Sequence, residues 1–273
     1  MPELAEVETL MLYLKKNILN QEIVSFQKNR NNLRYELSPE LQELTENSTI
    51  IDIQRRAKFL NIKLSNKNSL IVHLGMSGRL TVQPKEYKIQ KHDHIQIGFT
   101  SGKQLIFNDA RRFGMIYSCP SNEFDNQVFL KNMSIEPLTD EFNASYLEQK
   151  LKNKNTPIKT AIMDSRIVVG VGNIYAAESL FTSGINPKRN AADLNSVEIA
   201  RLVDAIKIVL IKAIKAGGTT LKDFVNGDNK PGYFKQELNV YDRAGMSCYS
   251  CQYTIEKIKQ SGRSSFFCPK CQS

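Results

Sequence analysis

Four cysteines near the end of the chain constrain its fold more than any other feature. Cys248 and Cys251 are separated by two residues, Cys268 and Cys271 are spaced in the same way, and 16 residues lie between the pairs. Two Cys-x-x-Cys turns joined by a hairpin-length segment can place four thiolates at tetrahedral corners, the geometry that zinc prefers. Because four cysteines leave no coordination position for water, the spacing predicts one structural zinc ion. Two disulfide bonds are the alternative.

The composition limits the partners and the setting of the protein. Its 273 residues, 41% of them hydrophobic, are enough for two folded domains. The 37 lysines and arginines exceed the 28 acidic residues, and the net charge of +9 favours a polyanionic partner, although a merely solubilising surface is the plainer explanation. No apolar run reaches the roughly 18 residues of a membrane span, and the acidic start of the chain does not resemble a signal peptide. We expect no membrane partner and a reducing, cytoplasmic setting.

The N-terminal half of the chain has the pattern of one helix followed by short strands. Apolar residues recur at helical spacing from Leu4 to Ile18, and Pro2 precedes them at a place where a missing N–H costs nothing. Short β-type runs punctuated by Asn, Ser, Gly and Lys follow at 49–53, 59–64, 70–74, 95–99, 105–107 and 115–117. This pattern predicts an antiparallel β-sandwich or barrel.

A polar, proline-containing segment at 135–142 is a candidate domain boundary, after which the pattern becomes helical. Helices are predicted at 142–151, 157–164 and 173–181, and in a longer stripe that starts with the capping pair Asn195 and Glu198 and ends at two glycines. Residues 219–235 have little periodicity and predict a functional loop. The fold class is therefore α+β and multidomain. The predicted segments are a β-sandwich at 1–134, a linker and helical start at 135–150, a helical domain with its loop at 151–235, and a zinc-binding segment at 236–273.

Pro2 is a candidate nucleophile. Proline is small enough to allow removal of the initiator methionine, which would expose a secondary amine. An α-amino group titrates near pH ~8, so a useful fraction is unprotonated at neutral pH. Such an amine can attack a sugar carbon to give an iminium, and Glu3 stands beside it as a candidate proton donor and acceptor. An ordinary helix start with favourable acidic residues is the alternative.

Turns rich in glycine or arginine carry further candidates. Met76 follows a predicted strand between two glycines, and Arg111 with Phe113 suits stacking and wedging into a duplex. Asn173 opens a helix after a Gly-x-Gly turn, where backbone N–H groups bind phosphate well. A core methionine, a solvated basic turn and a simple tight turn are the respective alternatives.

Two other patterns differ in what they indicate. His92 and His94 would face the same side of a strand, but no third metal ligand is evident, so we expect a structural role. Arg263 lies between the cysteine pairs near two phenylalanines, and a guanidinium at a rigid hairpin tip suits phosphate, with a surface arginine as the alternative. No strand of the dinucleotide-binding type precedes the Gly-x-Gly turn, so we expect no nicotinamide cofactor.

Taken together, these segments resemble the bacterial formamidopyrimidine-DNA glycosylases over essentially the whole chain and in the right order. The segments that carry the resemblance are PELAEVETL at 2–10, RRAKFL at 55–60, HLGMSGRL at 73–80, DARRFG at 109–114, IKTAIMDSRIVVGVGNIYAAESLF at 158–181, GGTTLKDF at 217–224, PGYF at 231–234, VYDRAGMSC at 240–248 and GRSSFFCPKCQ at 262–272. The resemblance implies an N-terminal helix and β-sandwich, a helix–two-turn–helix module and a four-cysteine zinc finger.

The resemblance also implies roles for individual residues. Pro2 would be the nucleophile on C1′ of the damaged nucleotide, Glu3 its acid and base partner, and Lys58 a lysine near the active site. Three residues would fill the gap left by the extruded base, with the arginine facing the orphaned cytosine: Met76, Arg111 and Phe113. Four residues would grip phosphates: His73, Asn173, Tyr241 and Arg263.

Further roles follow from the same resemblance. Lys159 would handle the damaged base, residues 219–233 would close over it, and Glu6 and Glu178 would shape the catalytic pocket. The implied activity is excision of oxidised purines, 8-oxoguanine and formamidopyrimidines, from duplex DNA by a monomer, with strand cleavage by β- and δ-elimination.

Two departures and two alternatives accompany this interpretation. Ala5 and Ala110 stand where the family usually has proline, which puts local stiffness in doubt but not the chemistry. One alternative is an endonuclease VIII-like glycosylase that prefers oxidised pyrimidines. The other is a DNA-binding module without catalytic activity.

Overall fold

The computed structural model describes residues 2–219 and 234–273, which form two compact units. The N-terminal unit comprises Met1–Lys131 and Ala216–Lys235, and the C-terminal unit comprises Asn132–Lys215 and Gln236–Ser273. The sequence pattern grouped the segment after residue 215 with the helical domain, whereas the structure groups it with the N-terminal unit. Gly217 and Gly218 end the preceding helix with φ angles of +78° and +84°, and the chain beyond them is bonded to the N-terminal helix.

The N-terminal unit is built from one helix and two sheets. Helix α1 (Leu4–Ile18) buries the apolar stripe that its periodicity predicts. A short helix, α2 (Leu41–Thr45), lies between the first two strands. The strands are β1 (Ile23–Lys28), β2 (Ile50–Arg56), β3 (Phe59–Leu64), β4 (Asn68–His73), β5 (Arg79–Gln83), β6 (Asp93–Phe99), β7 (Gln104–Asn108) and β8 (Met115–Pro120).

The two sheets are antiparallel and share one core with α1. Their strand orders are β1-β6-β7-β5 and β2-β3-β4-β8. Side chains from both sheets and from α1 form one buried apolar cluster, so the predicted antiparallel sandwich is confirmed. The catalytic and DNA-contacting candidates of this unit lie at the start of α1 and at strand ends, while the sandwich supplies their rigid support.

The C-terminal unit contains the helical module. Its helices are α3 (Ala144–Leu151), α4 (Ile158–Ile162), α5 (Asn173–Thr182) and α6 (Ser196–Lys215). The predicted capping pair of α6 is confirmed, because the Glu198 N–H donates to Asn195 Oδ1 at 3.0 Å and the Asn195 N–H donates to Glu198 Oε2 at 2.9 Å. Single turns of 3₁₀ helix occur at Ser121–Glu123 in the N-terminal unit, at Ala191–Asp193, and at Phe234–Glu237.

A two-stranded hairpin follows in the cysteine-bearing segment. Strands β9 (Glu256–Gln260) and β10 (Arg263–Phe267) are antiparallel, with Gln260 opposite Arg263. Only Ser261 and Gly262 connect them, with φ angles of +47° and +78°, as in a type I′ turn. Within the described ranges, no helix is both long and apolar enough to cross a membrane.

Candidate functional site

The start of the chain is buried, and one carboxylate fixes its backbone. Pro2 is buried and only 2% of Glu3 is exposed. One oxygen of Glu6 accepts a hydrogen bond from the Glu3 N–H at 2.8 Å, and the other accepts one from the Thr219 N–H at 2.7 Å. Because Glu6 lies on α1, whose apolar stripe is held in the core, the candidate nucleophile occupies a helix end that cannot readily fray.

The turn that carries Lys58 is strained and tied to the same helix. Ala57, between β2 and β3, has a φ of +54°, a conformation that residues with a Cβ rarely adopt. Arg55 donates to the Ala57 carbonyl at 3.1 Å and forms an ion pair with Glu8 of α1. The position of Lys58 is therefore set by a left-handed residue and by a contact to the helix that begins at the nucleophile.

His73, at the end of β4, is a neutral hydrogen-bond donor. Burial lowers the pKa of His73 to about 4, and the positive charges of Lys58 and Arg34 act in the same direction. The Gly75 N–H donates to His73 Nδ1 at 3.1 Å, so Nδ1 carries a lone pair. The remaining ring proton is on Nε2, which can donate to an anionic oxygen.

Met76, Arg111 and Phe113 lie on two neighbouring loops, at 74–78 and 109–114, which we call the wedge loops. Met76 is 37% exposed and Phe113 is 45% exposed, high values for large apolar side chains. The Arg111 guanidinium lies over the Phe113 ring, 5.0 Å from its centroid. A Cβ on Gly75 would lie 2.3 Å from the Phe113 carbonyl carbon, so the close approach of the two loops requires glycine there.

An open cavity lies against the wedge loops, and its basic lining includes Arg34, which no sequence pattern marked. The cavity measures about 690 Å³ and is lined by His73, Met76, Arg111, Phe113 and Arg34, among others. The Arg34 N–H donates to the Gly114 carbonyl at 3.1 Å, and this bond joins the segment around Arg34 to the wedge loops. Neither periodicity nor a motif marked that segment, and its basic residues were the only available signal.

In the C-terminal unit, Lys159 and Asn173 are brought together. Lys159 is 2% exposed, and its ammonium donates to Asn173 Oδ1 at 2.6 Å, to Ser265 Oγ at 2.8 Å and to the Ser264 carbonyl at 2.9 Å. These contacts point the Asn173 amide oxygen inward and leave its NH₂ group as the outward donor at the start of α5. The role in handling the damaged base that the resemblance implies for Lys159 stays a prediction.

A second buried charge in this unit positions Tyr241. Glu178 of α5 is 1% exposed and accepts hydrogen bonds from the backbone N–H groups of Asn239, Val240 and Tyr241 at 2.8–3.0 Å. The Tyr241 ring packs edge-on against Phe266 of β10, with centroids 5.0 Å apart. The sequence marked Glu178 only through resemblance, since a carboxylate and its donors 61–63 positions away leave no local pattern.

The four cysteines form a metal site. Their sulfur atoms all lie within 4.8 Å of one another, with 3.4 Å between Cys251 and Cys268 and 3.9 Å between Cys248 and Cys271. A tetrahedral zinc with bonds of about 2.3 Å separates its sulfurs by about 3.8 Å, so the set fits the ion. Although burial opposes it, backbone N–H groups of Cys251 and Ser250 lower the pKa of Cys248 to about 7, which favours the thiolate.

The hairpin above this site presents Arg263. This residue is exposed and directly follows the two-residue turn between β9 and β10. Within the described ranges, the four cysteines are the only grouping of three or more His, Cys, Asp or Glu side chains that could hold a metal. The structural role expected for His92 and His94 stays a prediction. Of the predicted lesion-closing loop, residues 220–233 lie outside the described part of the chain.

Three family models match the chain. The formamidopyrimidine-DNA glycosylase N-terminal domain matches residues 1–116, the formamidopyrimidine-DNA glycosylase H2TH domain matches residues 133–225, and the zinc finger found in FPG and IleRS matches residues 248–273. The cysteine spacing, the observed sulfur distances and the zinc-finger match agree, and the protein holds one structural zinc ion.

Relatives and solved structures match over the full length. Proteins named formamidopyrimidine-DNA glycosylase from Rickettsia bellii and Rickettsia conorii are 54% and 55% identical over 272 residues, covering 100% of this chain and 99% of each relative. A point mutant of the Lactococcus lactis FPG, solved with DNA containing Fapy-dG, superposes with a TM-score of 0.93 at 32% identity and covers 100% of both chains.

Two further solved complexes are equally similar. The Lactococcus lactis Fpg bound to abasic-site DNA gives a TM-score of 0.92 at 33% identity with 99% of both chains covered. MutM bound to DNA containing carbocyclic 8-oxo-G gives 0.92 at 32% identity with both chains fully covered. With its three domains matched in order and relatives aligned from end to end, the chain belongs to the formamidopyrimidine-DNA glycosylase family.

Proposed function

We propose that this protein is a base excision repair enzyme, a DNA glycosylase and AP lyase that removes oxidised purines from double-stranded DNA. The observation that carries the proposal is the start of the chain, where Pro2 and Glu3 are buried and the Glu3 backbone is held by Glu6. Relatives that match the whole chain are named formamidopyrimidine-DNA glycosylase. Its solved neighbours hold DNA with Fapy-dG, an abasic site or carbocyclic 8-oxo-G, which supports oxidised purines and their abasic products as substrates.

The chemistry begins once the initiator methionine has been removed. The Pro2 nitrogen attacks C1′ of the damaged nucleotide, the N–C1′ bond forms, and the bond to the base breaks. The amine loses its proton in this step, and the departing base takes up one proton, so the charge balances. Glu3 protonates the sugar ring oxygen as the ring opens, which yields an iminium. The iminium withdraws electrons and acidifies C2′–H. Loss of that proton expels the 3′ phosphate, a second elimination expels the 5′ phosphate, and hydrolysis of the iminium frees Pro2.

The wedge loops serve the step before the chemistry. A damaged base inside a duplex cannot reach the amine, so it must be rotated out of the stack at a cost of a few kcal/mol. Met76, Arg111 and Phe113 fill the gap, with the guanidinium of Arg111 directed at the orphaned cytosine. Their exposure in the protein suits side chains that become buried only against DNA.

The residues that contact phosphates in this proposal are held in place in different ways. His73 is a neutral donor, and Arg263 lies at a hairpin tip that the zinc site supports. Lys58, which belongs with the catalytic residues Pro2 and Glu3, is held by the strained turn at Ala57. Tyr241 and Asn173 are oriented by the buried charges of Glu178 and Lys159 respectively. We assign Lys159 to DNA binding through this orientation of Asn173, because its ammonium is directed into the C-terminal unit.

One observation favours a second substrate class. A further structural neighbour, the wild-type Lactococcus lactis FPG, was solved with DNA containing an oxidised pyrimidine. Oxidised pyrimidines are therefore a secondary substrate in this proposal, tested by comparing excision of 8-oxoguanine with that of thymine glycol. We further propose that the protein acts as a monomer in the cytoplasm.

Borohydride trapping on a duplex with 8-oxoguanine opposite cytosine tests the main proposal. Reduction of the iminium should give a covalent adduct that mass spectrometry maps to Pro2. The Pro2→Gly variant should lose at least 100-fold in adduct formation while duplex binding survives, and Pro120→Gly, at an exposed proline of the same unit, should behave as the wild type. Equal trapping by Pro2→Gly would refute the nucleophile. Wild-type protein that binds duplexes, has lost Met1 and gives no adduct with any lesion would leave the non-catalytic DNA-binding module as the better description.

A further inference from the structure

We propose that the hydrogen bond between Ser77 and Asp109 is a clasp that holds the two wedge loops in register, and that both are positioning residues for extrusion of the damaged base. The inference rests on the proposed function, and neither Ser77 nor Asp109 is among the residues proposed to contact DNA or to take part in the chemistry. The clasp joins the loop of Met76 to the loop of Arg111 and Phe113.

The carboxylate of Asp109 collects contacts from both loops. Asp109 is completely buried, and its Oδ1 accepts from the Ser77 hydroxyl at 2.6 Å and from the Arg111 N–H at 3.3 Å. Its Oδ2 accepts from the Gly114 N–H at 2.7 Å. Hydrogen bonds to an ionised carboxylate are stronger than neutral ones. One side chain therefore fixes the near and far ends of the second loop and a hydroxyl of the first.

The backbone of Asp109 is also anchored to the sandwich, at the start of β6. Its N–H donates to the His92 carbonyl at 3.0 Å, and its own carbonyl oxygen lies 2.8 Å from Nε2 of the buried His94. The clasp thus transmits the rigidity of β6 and β7 to two segments that have no ladder hydrogen bonds of their own.

Each wedge side chain is close in sequence to a clasp contact. Met76 immediately precedes Ser77, Arg111 supplies one of the N–H donors, and Phe113 immediately precedes Gly114. The Arg111 N–H also lies 3.2 Å from Ser77 Oγ. Because a displacement of about 1 Å can cost on the order of 100-fold in rate, loss of the clasp should impair the step in which the wedge replaces the base.

Ala110 makes the clasp more important in this chain. The Arg112 N–H donates to the Asp109 carbonyl at 3.3 Å, which places Ala110 at the second position of a tight turn. That position accepts proline, whose fixed φ would stiffen the turn, whereas alanine leaves it free. We infer that the carboxylate supplies stiffness that the backbone at Ala110 does not, so Ala110→Pro should compensate for a lost clasp.

Ser77→Ala removes the clasp hydroxyl without adding bulk, and Ser69→Ala is its matched control. Ser69 is buried in the same sandwich and its hydroxyl lies 2.9 Å from that of Ser121, away from the wedge loops. The measurement is single-turnover cleavage of two duplexes, one with 8-oxoguanine opposite cytosine and one with a preformed abasic site, which has no base to unstack. Ser77→Ala should lose at least tenfold on 8-oxoguanine and less than threefold on the abasic site, while Ser69→Ala loses less than threefold on both.

The double variant Ser77→Ala with Ala110→Pro separates positioning from a general loss of structure. It should recover 8-oxoguanine excision to within threefold of Ala110→Pro alone. Equal losses on both substrates, or no recovery with proline, would overturn the clasp, as would Ser77→Ala matching Ser69→Ala. Wild-type protein that cleaves neither duplex would overturn the proposed function itself, and the clasp role with it.

Discussion

The two units position their functional side chains by different means. In the N-terminal unit, the candidates are placed by backbone features on a large apolar core: a capped helix start, a left-handed turn at Ala57 and a close glycine approach at Gly75. In the C-terminal unit, the apolar cluster beside the cysteines is small, and buried charges and a metal site set the positions of Asn173, Tyr241 and Arg263. A substitution on the large core of the N-terminal unit should therefore displace only the side chains next to it. Loss of a buried charge or of the metal should displace the functional side chains of the C-terminal unit together.

Loss of zinc gives the largest expected effect and tests the second half of this comparison. Structural zinc contributes on the order of 10 kcal/mol to the folding of small domains, so Cys268→Ser should unfold the segment around β9 and β10. DNA affinity should fall at least tenfold as the proposed phosphate contact of Arg263 is lost. Hydrogen exchange should show lost protection at 248–273 and unchanged protection in β2–β4.

The matched control for this experiment is Cys119→Ser, since Cys119 is a buried thiol of β8 outside the metal site. It should leave protection at 248–273 and zinc content unchanged. Full protection of 248–273 in Cys268→Ser with zinc absent by elemental analysis would contradict the role of the metal. Equal loss of protection in the sandwich would remove the contrast between the units.

A pH experiment on His73 tests the N-terminal unit with an intermediate effect. Its pKa is about 4 in the folded protein and about 6.5 when unfolded, so between these values the unfolded state binds more protons. The contribution of His73 to stability is therefore complete above pH ~6.5 and is lost as the pH falls towards 4, by at most about 3 kcal/mol. Urea unfolding of the wild type and of His73→Gln at several pH values should show that only the wild type carries this loss. Parallel pH profiles for the two proteins would be the contrary result.

The smallest expected effect is a gain of stability at Ala57. Glycine adopts a φ of +54° without steric cost, so Ala57→Gly should raise the free energy of unfolding by about 0.5 kcal/mol after loss of one buried methyl group. Ala110→Gly is the control of opposite sign, because Ala110 is not among the residues with positive φ and should be destabilised by about the same amount. Denaturant midpoints measure both, and two changes of the same sign would argue against strain at Ala57.

The parts of the molecule that were predictable from sequence are those with a local signal. The stripe of α1, the capping pair of α6 and the cysteine spacing each lie within a few turns of chain, and each appears in the structure as expected. Strands β1 and β5 were not picked out individually. Their burial does not alternate, because the buried residues of β1 are three positions apart, at Ile23 and Phe26, and those of β5 are adjacent, at Leu80 and Thr81.

The parts that could not be predicted depend on partners far apart in the chain. Lys159 bonds to side and main chain 105–106 positions later, and Glu6 bonds to a residue 213 positions later. Such pairs leave no periodicity, and the motifs that contain them indicated importance without indicating the contact. The clasp of Ser77 and Asp109 was hidden in the same way, although both residues lie inside motifs that carried the resemblance.

The hydrogen bonds of Gly218, Thr219 and Phe234, after the end of α6, determine how much the sequence between Thr219 and Phe234 can change in length. Thr219 is bonded to Glu6, and the Phe234 N–H donates to the Gly218 carbonyl at 3.2 Å, so Thr219 and Phe234 are held close together within the N-terminal unit. A doubling in length of a flexible insert between fixed ends costs only about 0.6 kcal/mol. The number of residues between Thr219 and Phe234 can therefore change at small cost in free energy, while Glu6 continues to hold the Pro2–Glu3 start of the chain in place.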